Sequence, residues 1–320
     1  MDIRNIPTLF GLPEADGLTE LNAGHINRTF LAVCGGKKYV LQSLNRSVFH
    51  APEAVMDNIS RIEAAFAKAG VCDIAVPHFI AFGDKNYAVA DGEIWRIYSY
   101  ITATADAAAE PAAAGRAFGT FIRIMDGSEL STTPAIEGFH DFDGYFAVLA
   151  SKHGIDSGVM AALDKLRDTL GQVFGSSLPK RIIHGDAKAD NVIISEKMTI
   201  IDLDTAMWGY AAIDYGDLVR SFCPKGISDL SAVRDITAGF SRGLCGILSG
   251  DEVNSLYYGI LWLTGELAIR YLIDSKSENT YFRGKTSADC LARAQQLLSQ
   301  LRQFTDHGAE LTEIIHSAFA

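Results

Sequence analysis

The chain has 320 residues, 48% hydrophobic and 21% charged, with a formal net charge of −11, which is length enough for one large domain or two smaller ones with proper cores. A surface of that sign repels phosphate backbones and no Lys/Arg cluster overrides it, so no nucleic-acid partner is expected. Cys34, Cys72, Cys223, Cys245 and Cys290 are odd in number and never form a C-x-x-C pair, which argues for buried reduced thiols rather than a disulfide framework or a thiolate metal site.

In chain order, MDIRNIPTLFGLPEADG lacks the basic start and apolar core of a signal peptide. INRTFLAV (26–33), CGGK and KYVLQSL (38–44) read as a hairpin rich in β-branched and aromatic residues. A helix is predicted over 52–70, with Pro52 near its start, Val55, Ile59, Ile62, Phe66 and Ala69 on one face, and Gly70 as the stop. PHFIAFG and NYAVADGEIWRIYSYI supply further strands, and an alanine-rich patch at 105–117 marks a junction. Beyond it the pattern turns helical, over 115–125, 158–175, 255–273 and 287–304. The expected class is α+β, with a β-rich lobe over 1–102 and a mainly helical lobe over 103–320. The longest apolar stretches, such as LYYGILWL, are too short to span a bilayer; a cytoplasmic protein without membrane attachment is expected.

One polar cluster interrupts the helical part. Ile182 and Ile183 lead into HGDAKADN (184–191), and VII leads out of it; a second strand, TIIDLD (199–204), follows after a short connection and ends in two carboxylates. Pairing of those strands would bring Asp186, Asn191 and Asp202 within reach of one small ion. Phosphoryl transfer needs this set: a carboxylate for the acceptor hydroxyl, and an amide and a second carboxylate to hold magnesium against the phosphates. Asp186 is the expected base; with an ordinary pKa of about 3.9 it stays ionised and acts by orienting that hydroxyl.

The pattern H-x-D-x-x-x-x-N followed by I-D-x-D resembles the catalytic and metal loops of the protein-kinase-like superfamily, and Gly185 after His184 resembles its aminoglycoside phosphotransferase and choline kinase branch. The resemblance implies a two-lobe fold, ATP as co-substrate, Mg2+ held by Asn191 and Asp202, and Lys188 at the transferred phosphoryl, with His184 bracing the loop. GHINRTF, YVLQSLN, PEAVMDNI, FHDF, IDLDTAM, IDYGDLVRSF and ELAIRYLIDSKSENTYF resemble, more narrowly, the N-acetylhexosamine 1-kinases. That likeness implies an amino-sugar acceptor phosphorylated at its anomeric hydroxyl. AGHINRT then covers the ATP phosphates, with Asn27 and Thr29 as donors, although with its single Gly24 it reads equally as a plain hairpin turn. Alternation in YVLQ puts Val40 and Gln42 on one face, for adenine and phosphates, and Tyr39 and Leu41 on the other. Gln42 stands where kinases of this fold usually have a lysine, and its helix partner, Glu53 or Glu63, is unassigned.

WRIYSYI, with Tyr98 and Tyr100, is expected beside the adenine. FHDF and ELAIR correspond to the acceptor pocket, with Asp141, Arg270, His140 and Glu266 as candidate contacts; a helix salt bridge for Arg270 and a helix cap for His140 are the ordinary alternatives. Asp214, Asp217 and Arg220 are expected as scaffolding, and Asp204 as a hydrogen-bonding brace ahead of the alternative, a second metal ligand. A kinase for an amino alcohol or aminoglycoside shares the catalytic loop. Gln42 leaves room for an inactive nucleotide-binding regulator, and a protein kinase would need an activation segment that does not follow IDLDTAM. Oligomeric state has no signature in the sequence.

Overall fold

The computed structural model describes residues 1–21, 26–70, 73–175, 177–227, 230–277, 281–282 and 284–320. Among them the strands are β1 (Ala15–Leu21), β2 (Arg28–Cys34), β3 (Lys37–Ser43), β4 (Ile74–Ala75), β5 (Ala88–Ala90), β6 (Glu93–Ser99), β7 (Arg181–Ile183), β8 (Val192–Ile194), β9 (Met198–Ile200) and β10 (Met207–Gly209). The α-helices are α1 (Ile6–Leu9), α2 (Pro52–Ala69), α3 (Pro111–Met125), α4 (Phe142–Ala150), α5 (Ser157–Val173), α6 (Ala211–Phe222), α7 (Ser231–Leu244), α8 (Gly250–Ser275), α9 (Ser287–Asp306) and α10 (Gly308–Phe319). The strand-rich beginning and helical remainder make the chain α+β, as expected.

Contacts divide the chain into two compact units. The first is Met1–Ala105 with Gly127–Glu137 and Ile193–Met207; the second is Asp106–Asp126 with Gly138–Val192 and Trp208–Ala320. A single cut after residue 102 does not provide for the two later segments that join the first unit. Ile193–Met207 belongs there because β9 runs parallel to β4, pairing Met198 with Ile74 and Thr199 with Ala75.

In the first unit the sheet order is β1-β2-β3-β6-β5. The β2–β3 hairpin turns through Gly35-Gly36, so that Cys34 pairs with Lys37 and Thr29 with Gln42. Alternation then sends Phe30, Ala32, Tyr39, Leu41, Trp95 and Ile97 to one face, where they form a core with Ile6 and Phe10. The opposite face carries Thr29, Val40, Gln42, Arg96 and Tyr98, matched across strands as Gln42 with Arg96 and Val40 with Tyr98. Helix α2 buries Val55, Ile59 and Ile62 of the expected stripe, with Met56 beside them, whereas Phe66 is half-buried and Ala69 exposed.

The second unit is built on helix pairs. Helices α6 and α8 touch so closely that a Cβ added at Gly216 would collide with the Gly259 carbonyl, and one at Gly259 with the Ala212 carbonyl; only glycine permits that approach. Helix α8 starts in a capping box between Ser249 and Glu252, five residues before its apolar pattern begins. Helix α6 is hidden from periodicity because its buried face includes Asp214 and Asp217. Among the described cysteines, Cys34, Cys223 and Cys290 are buried as expected, whereas Cys245 is exposed. Cys72 lies outside the described residues, and no described helix is long and apolar enough to cross a membrane.

Candidate active site

In the second unit, β7 delivers the polar cluster. Its Ile182 and Ile183 are buried, and the His184 ring that follows lies edge-on to Phe118 and Phe121 of α3, at 5.2 and 5.8 Å between centroids. Asp214, in the first turn of α6, takes the backbone N–H groups of His184 and Gly185 on its two oxygens, at 2.8 Å each. Burial pushes the Asp214 carboxyl above its ordinary range, although those two donors and the His184 ring oppose the shift. The backbone turns at Gly185, where φ is 80°; a side chain there would be strained. Its carbonyl accepts from His140 Nε2 at 2.7 Å.

His140 meets acceptors at both ring nitrogens, since Nδ1 lies 3.2 Å from Glu266 Oε2. A carbonyl and an ionised carboxylate only accept, so with Glu266 ionised both ring nitrogens donate, as in an imidazolium. Burial works against that charge, but Glu266 and the Gly185 carbonyl outweigh it and raise the His140 pKa. Burial likewise opposes the Glu266 charge, and His140, Arg270 and Trp262 together hold that carboxyl below its ordinary range. Trp262 Nε1 donates to it at 3.2 Å. Both groups are candidate substrate contacts; in the structure their polar atoms engage the protein, and they hold the 184–191 loop through the Gly185 carbonyl.

Asp186 receives Lys188 Nζ at 2.7 Å and Asn191 Nδ2 at 2.9 Å, both on Oδ2. Asn191 Nδ2 also reaches the Asp186 carbonyl at 2.8 Å. Burial would raise the Asp186 pKa, but the Lys188 ammonium, the His184 ring and the Asn191 amide overcome it and hold the carboxyl below its ordinary range. Asp186 Oδ1 and Asn191 Oδ1 are left without a protein donor among the described residues. The first is placed to accept a hydroxyl hydrogen. The second is a hard oxygen of the kind a magnesium ion accepts, and with no described group of three or more His, Cys, Asp or Glu able to form a cage, phosphate oxygens and water would complete such a site.

Arg270 lies one turn beyond Glu266 on α8, its side chain 15% exposed. The guanidinium carbon sits 5.9, 5.4, 5.0 and 5.7 Å from the ring centres of Phe139, Tyr145, Tyr281 and Phe282. The nearest carboxylate oxygen, Glu266 Oε1, is 3.7 Å away, beyond hydrogen-bond range. Burial would lower the Arg270 pKa, but Tyr145, Glu266, Tyr281 and Asp186 keep it raised, so Arg270 and Asp186 share one electrostatic neighbourhood. The Tyr145 hydroxyl is pushed up to about 12, mainly by burial. Asp141 caps α4 through the Gly144 N–H at 3.0 Å and is exposed.

In the first unit, Val40 is buried, and Tyr98 is buried edge-on to Phe79 at 5.1 Å, its hydroxyl pKa raised by burial. Tyr100 is 41% exposed. Gln42 does not stand alone on its face: Oε1 accepts from Arg96 Nε at 2.9 Å and Nε2 donates to Thr29 Oγ1 at 3.1 Å. The unassigned helix partner is neither glutamate. Glu53 pairs with Arg46, and Glu63 accepts from the Phe79 N–H and from Asn86. Asn27 donates to Asp204 Oδ2 at 2.6 Å and accepts from the Asn45 N–H at 3.1 Å. Gly24, expected over the phosphates, lies outside the described residues. The strand expected over 199–204 ends at Ile200: Asp202 is left-handed at φ 61°, and Leu203–Thr205 form a 3-10 turn that buries Asp204. Arg96 was missed in the sequence; its one signal is a charged residue inside the apolar run EIWRIYS.

Solved structures share this architecture from end to end. A choline/ethanolamine kinase family protein from Mesorhizobium loti matches with a TM-score of 0.65 and 19% identity over 95% of this chain and 92% of its own. A microcompartment-associated aminopropanol kinase matches at TM-score 0.68 and 14% identity over 97% of each chain. An amicoumacin kinase in complex with AMP-PNP and Ca2+ matches at 0.66 and 14%, over 96% of this chain and 94% of its own. At these identities the likeness is one of fold. The model of the phosphotransferase enzyme family matches residues 17–240, a span that takes in both the Gln42 strand and the Asp186 loop. With that match over more than half its length, the chain belongs to the phosphotransferase enzyme family.

Proposed function

We propose that the protein is a small-molecule kinase that uses ATP and magnesium to phosphorylate the anomeric hydroxyl of an N-acetylhexosamine, N-acetylglucosamine or N-acetylgalactosamine. Asp186 Oδ1 accepts the hydroxyl hydrogen and aims the attacking oxygen. Lys188, paired with Asp186 at 2.7 Å, offers its ammonium to the phosphoryl charge. A bound magnesium ion supplies neutralisation of the phosphates, with Asn191 and Asp202 as its proposed protein ligands. Val40, Gln42, Tyr98 and Tyr100, with Asn27 and Thr29, form the nucleotide side.

The observation that carries the acceptor reading is Arg270. An aromatic box is a ready host for an ammonium group, but here the chain's own guanidinium stands among the four rings. Its N–H donors have no hydrogen-bonded protein acceptor among the described residues. Such a group binds hydroxyl and carbonyl oxygens and repels a cation. A neutral amido sugar, held by Arg270 and Asp141, fits that chemistry. A second reading, a kinase for an amino alcohol or aminoglycoside, is favoured by the activities named for the fold neighbours.

The test is coupled ADP release with ATP and magnesium against N-acetylglucosamine, N-acetylgalactosamine, glucose, choline, homoserine and kanamycin. Release driven by a hexosamine, with loss of its reducing end, is the expected result. Release with cationic acceptors alone would overturn the sugar reading. In the active case Asp186→Asn lowers kcat by orders of magnitude while nucleotide binding persists.

A further inference from the structure

Among the described residues Arg96 is the largest fully buried side chain, 2% exposed, and it lies on the sheet face that carries Gln42. Its guanidinium forks onto Asp204, Nη1 to Oδ1 and Nη2 to Oδ2, the latter at 3.0 Å, while Nε donates to Gln42 Oε1 at 2.9 Å. Arginine only donates, so the Gln42 oxygen must face it. The Gln42 amide nitrogen is thereby turned toward Thr29. Met56 Sδ of α2 approaches Nη1 at 3.7 Å, and the Phe79 ring lies 5.2 Å from the guanidinium carbon. Asp204 takes a further hydrogen bond from Asn27, which in turn holds the Asn45 N–H. One buried cation thus ties β2, β3, β6 and α2 to the turn Leu203–Thr205.

Two residues before Asp204 is Asp202, in a left-handed conformation. Such a backbone persists in a non-glycine residue where its surroundings over-determine it. The forked, directional pair at Asp204 fixes the turn that directly follows Asp202.

We propose that Arg96 is a positioning residue for nucleotide and metal: it touches neither, yet it orients the Gln42 amide and holds the Asp202 turn in its binding conformation. The inference rests on the reading of Gln42 as a nucleotide contact and Asp202 as a metal ligand. Lysine would not replace Arg96, because an ammonium is a point donor that cannot fork onto Asp204 and reach Gln42 together.

The experiment is calorimetric binding of a nonhydrolysable ATP analogue, with magnesium and in its absence, to the wild type, Arg96→Lys, Arg96→Met and the double variant Arg96→Met/Asp204→Met. Circular dichroism and thermal melting establish which variants are folded. The double variant strands no buried carboxylate, and Arg96→Lys retains the buried charge should the others not fold. In the folded variants the affinity with magnesium is expected to fall tenfold or more, and the ratio of affinities with and without the metal to shrink toward one. A purely structural role would not move that ratio. Adding Gln42→Ala to Arg96→Lys is expected to cost less than Gln42→Ala costs the wild type, since the amide has already lost its orientation. Folded variants with the wild-type ratio would overturn the proposal while the nucleotide reading stands. A wild type that binds no nucleotide would overturn both.

Discussion

His140 and Glu266 form a deeply buried charge pair of the second unit, their side chains 5% and 1% exposed. Replacing His140 by leucine leaves the Glu266 carboxylate with only the Trp262 N–H at 3.2 Å and a distant Arg270, and removes the donor from the Gly185 carbonyl. Breaking a buried pair from one side costs about 3–5 kcal/mol, and the remaining Trp262 contact puts this case near about 3 kcal/mol. For a unit of this size that corresponds to a fall in Tm of roughly 6–12 °C. His140→Leu/Glu266→Leu removes both charges and is expected to recover most of the loss, since apolar replacement of a buried pair is often neutral.

Because the Gly185 carbonyl loses its donor in either variant while Asp214 still holds the N–H, kcat should fall about tenfold or more in both, displacement of a catalytic group being costly. The pH dependence has a definite sign. His140 is raised and Glu266 lowered, so the pair's contribution is complete between about pH 4.5 and 6.5, the ordinary values of the two groups. It declines as pH rises from there through the folded value of His140, and as pH falls through that of Glu266. Melting scans of wild type and double variant from pH 4 to 9 measure the difference. A single variant that melts within a degree of wild type, or a double variant no more stable than the single, would refute the imidazolium assignment.

Lys188→Met removes the ammonium that most lowers the Asp186 pKa; the acid limb of the kcat profile is therefore expected to move to higher pH, with kcat reduced, and an unmoved limb would separate Lys188 from the base. Gly216→Ala places a methyl against the Gly259 carbonyl and is expected to destabilise by about 1–3 kcal/mol, as overpacking does. Gly171→Ala, in α5 with open space around it, is expected to stabilise by about 0.5–1 kcal/mol. Denaturant melts of the two glycine variants, run side by side, check the contrast.

The elements most legible in the sequence were those with one apolar face. Alternation in KYVLQSL already separates Val40 and Gln42 from Tyr39 and Leu41, and the spacing from Val55 to Ile62 already marks the buried stripe of α2. The polar cluster was legible for a related reason: Asp186, Lys188 and Asn191 lie within six residues, so a short loop brings their side chains together whatever surrounds it. Helix α6 was not, because Asp214 and Asp217 interrupt its apolar stripe, and nothing local shows that Asp214 is spent on two backbone N–H groups thirty and twenty-nine residues away. Long-range pairing hid the remainder. Arg96 meets Asp204 across 108 residues, and His140 meets Glu266 across 126. A charge that reads as a surface residue in one dimension becomes a buried fixture once its partner is known, since burial is affordable only with that partner in place. Composition and local pattern determined the class of fold and the clustering of Asp186, Lys188 and Asn191; the tertiary structure decided which charges are buried, which oxygens remain open, and that the cation in the aromatic box is the protein's own.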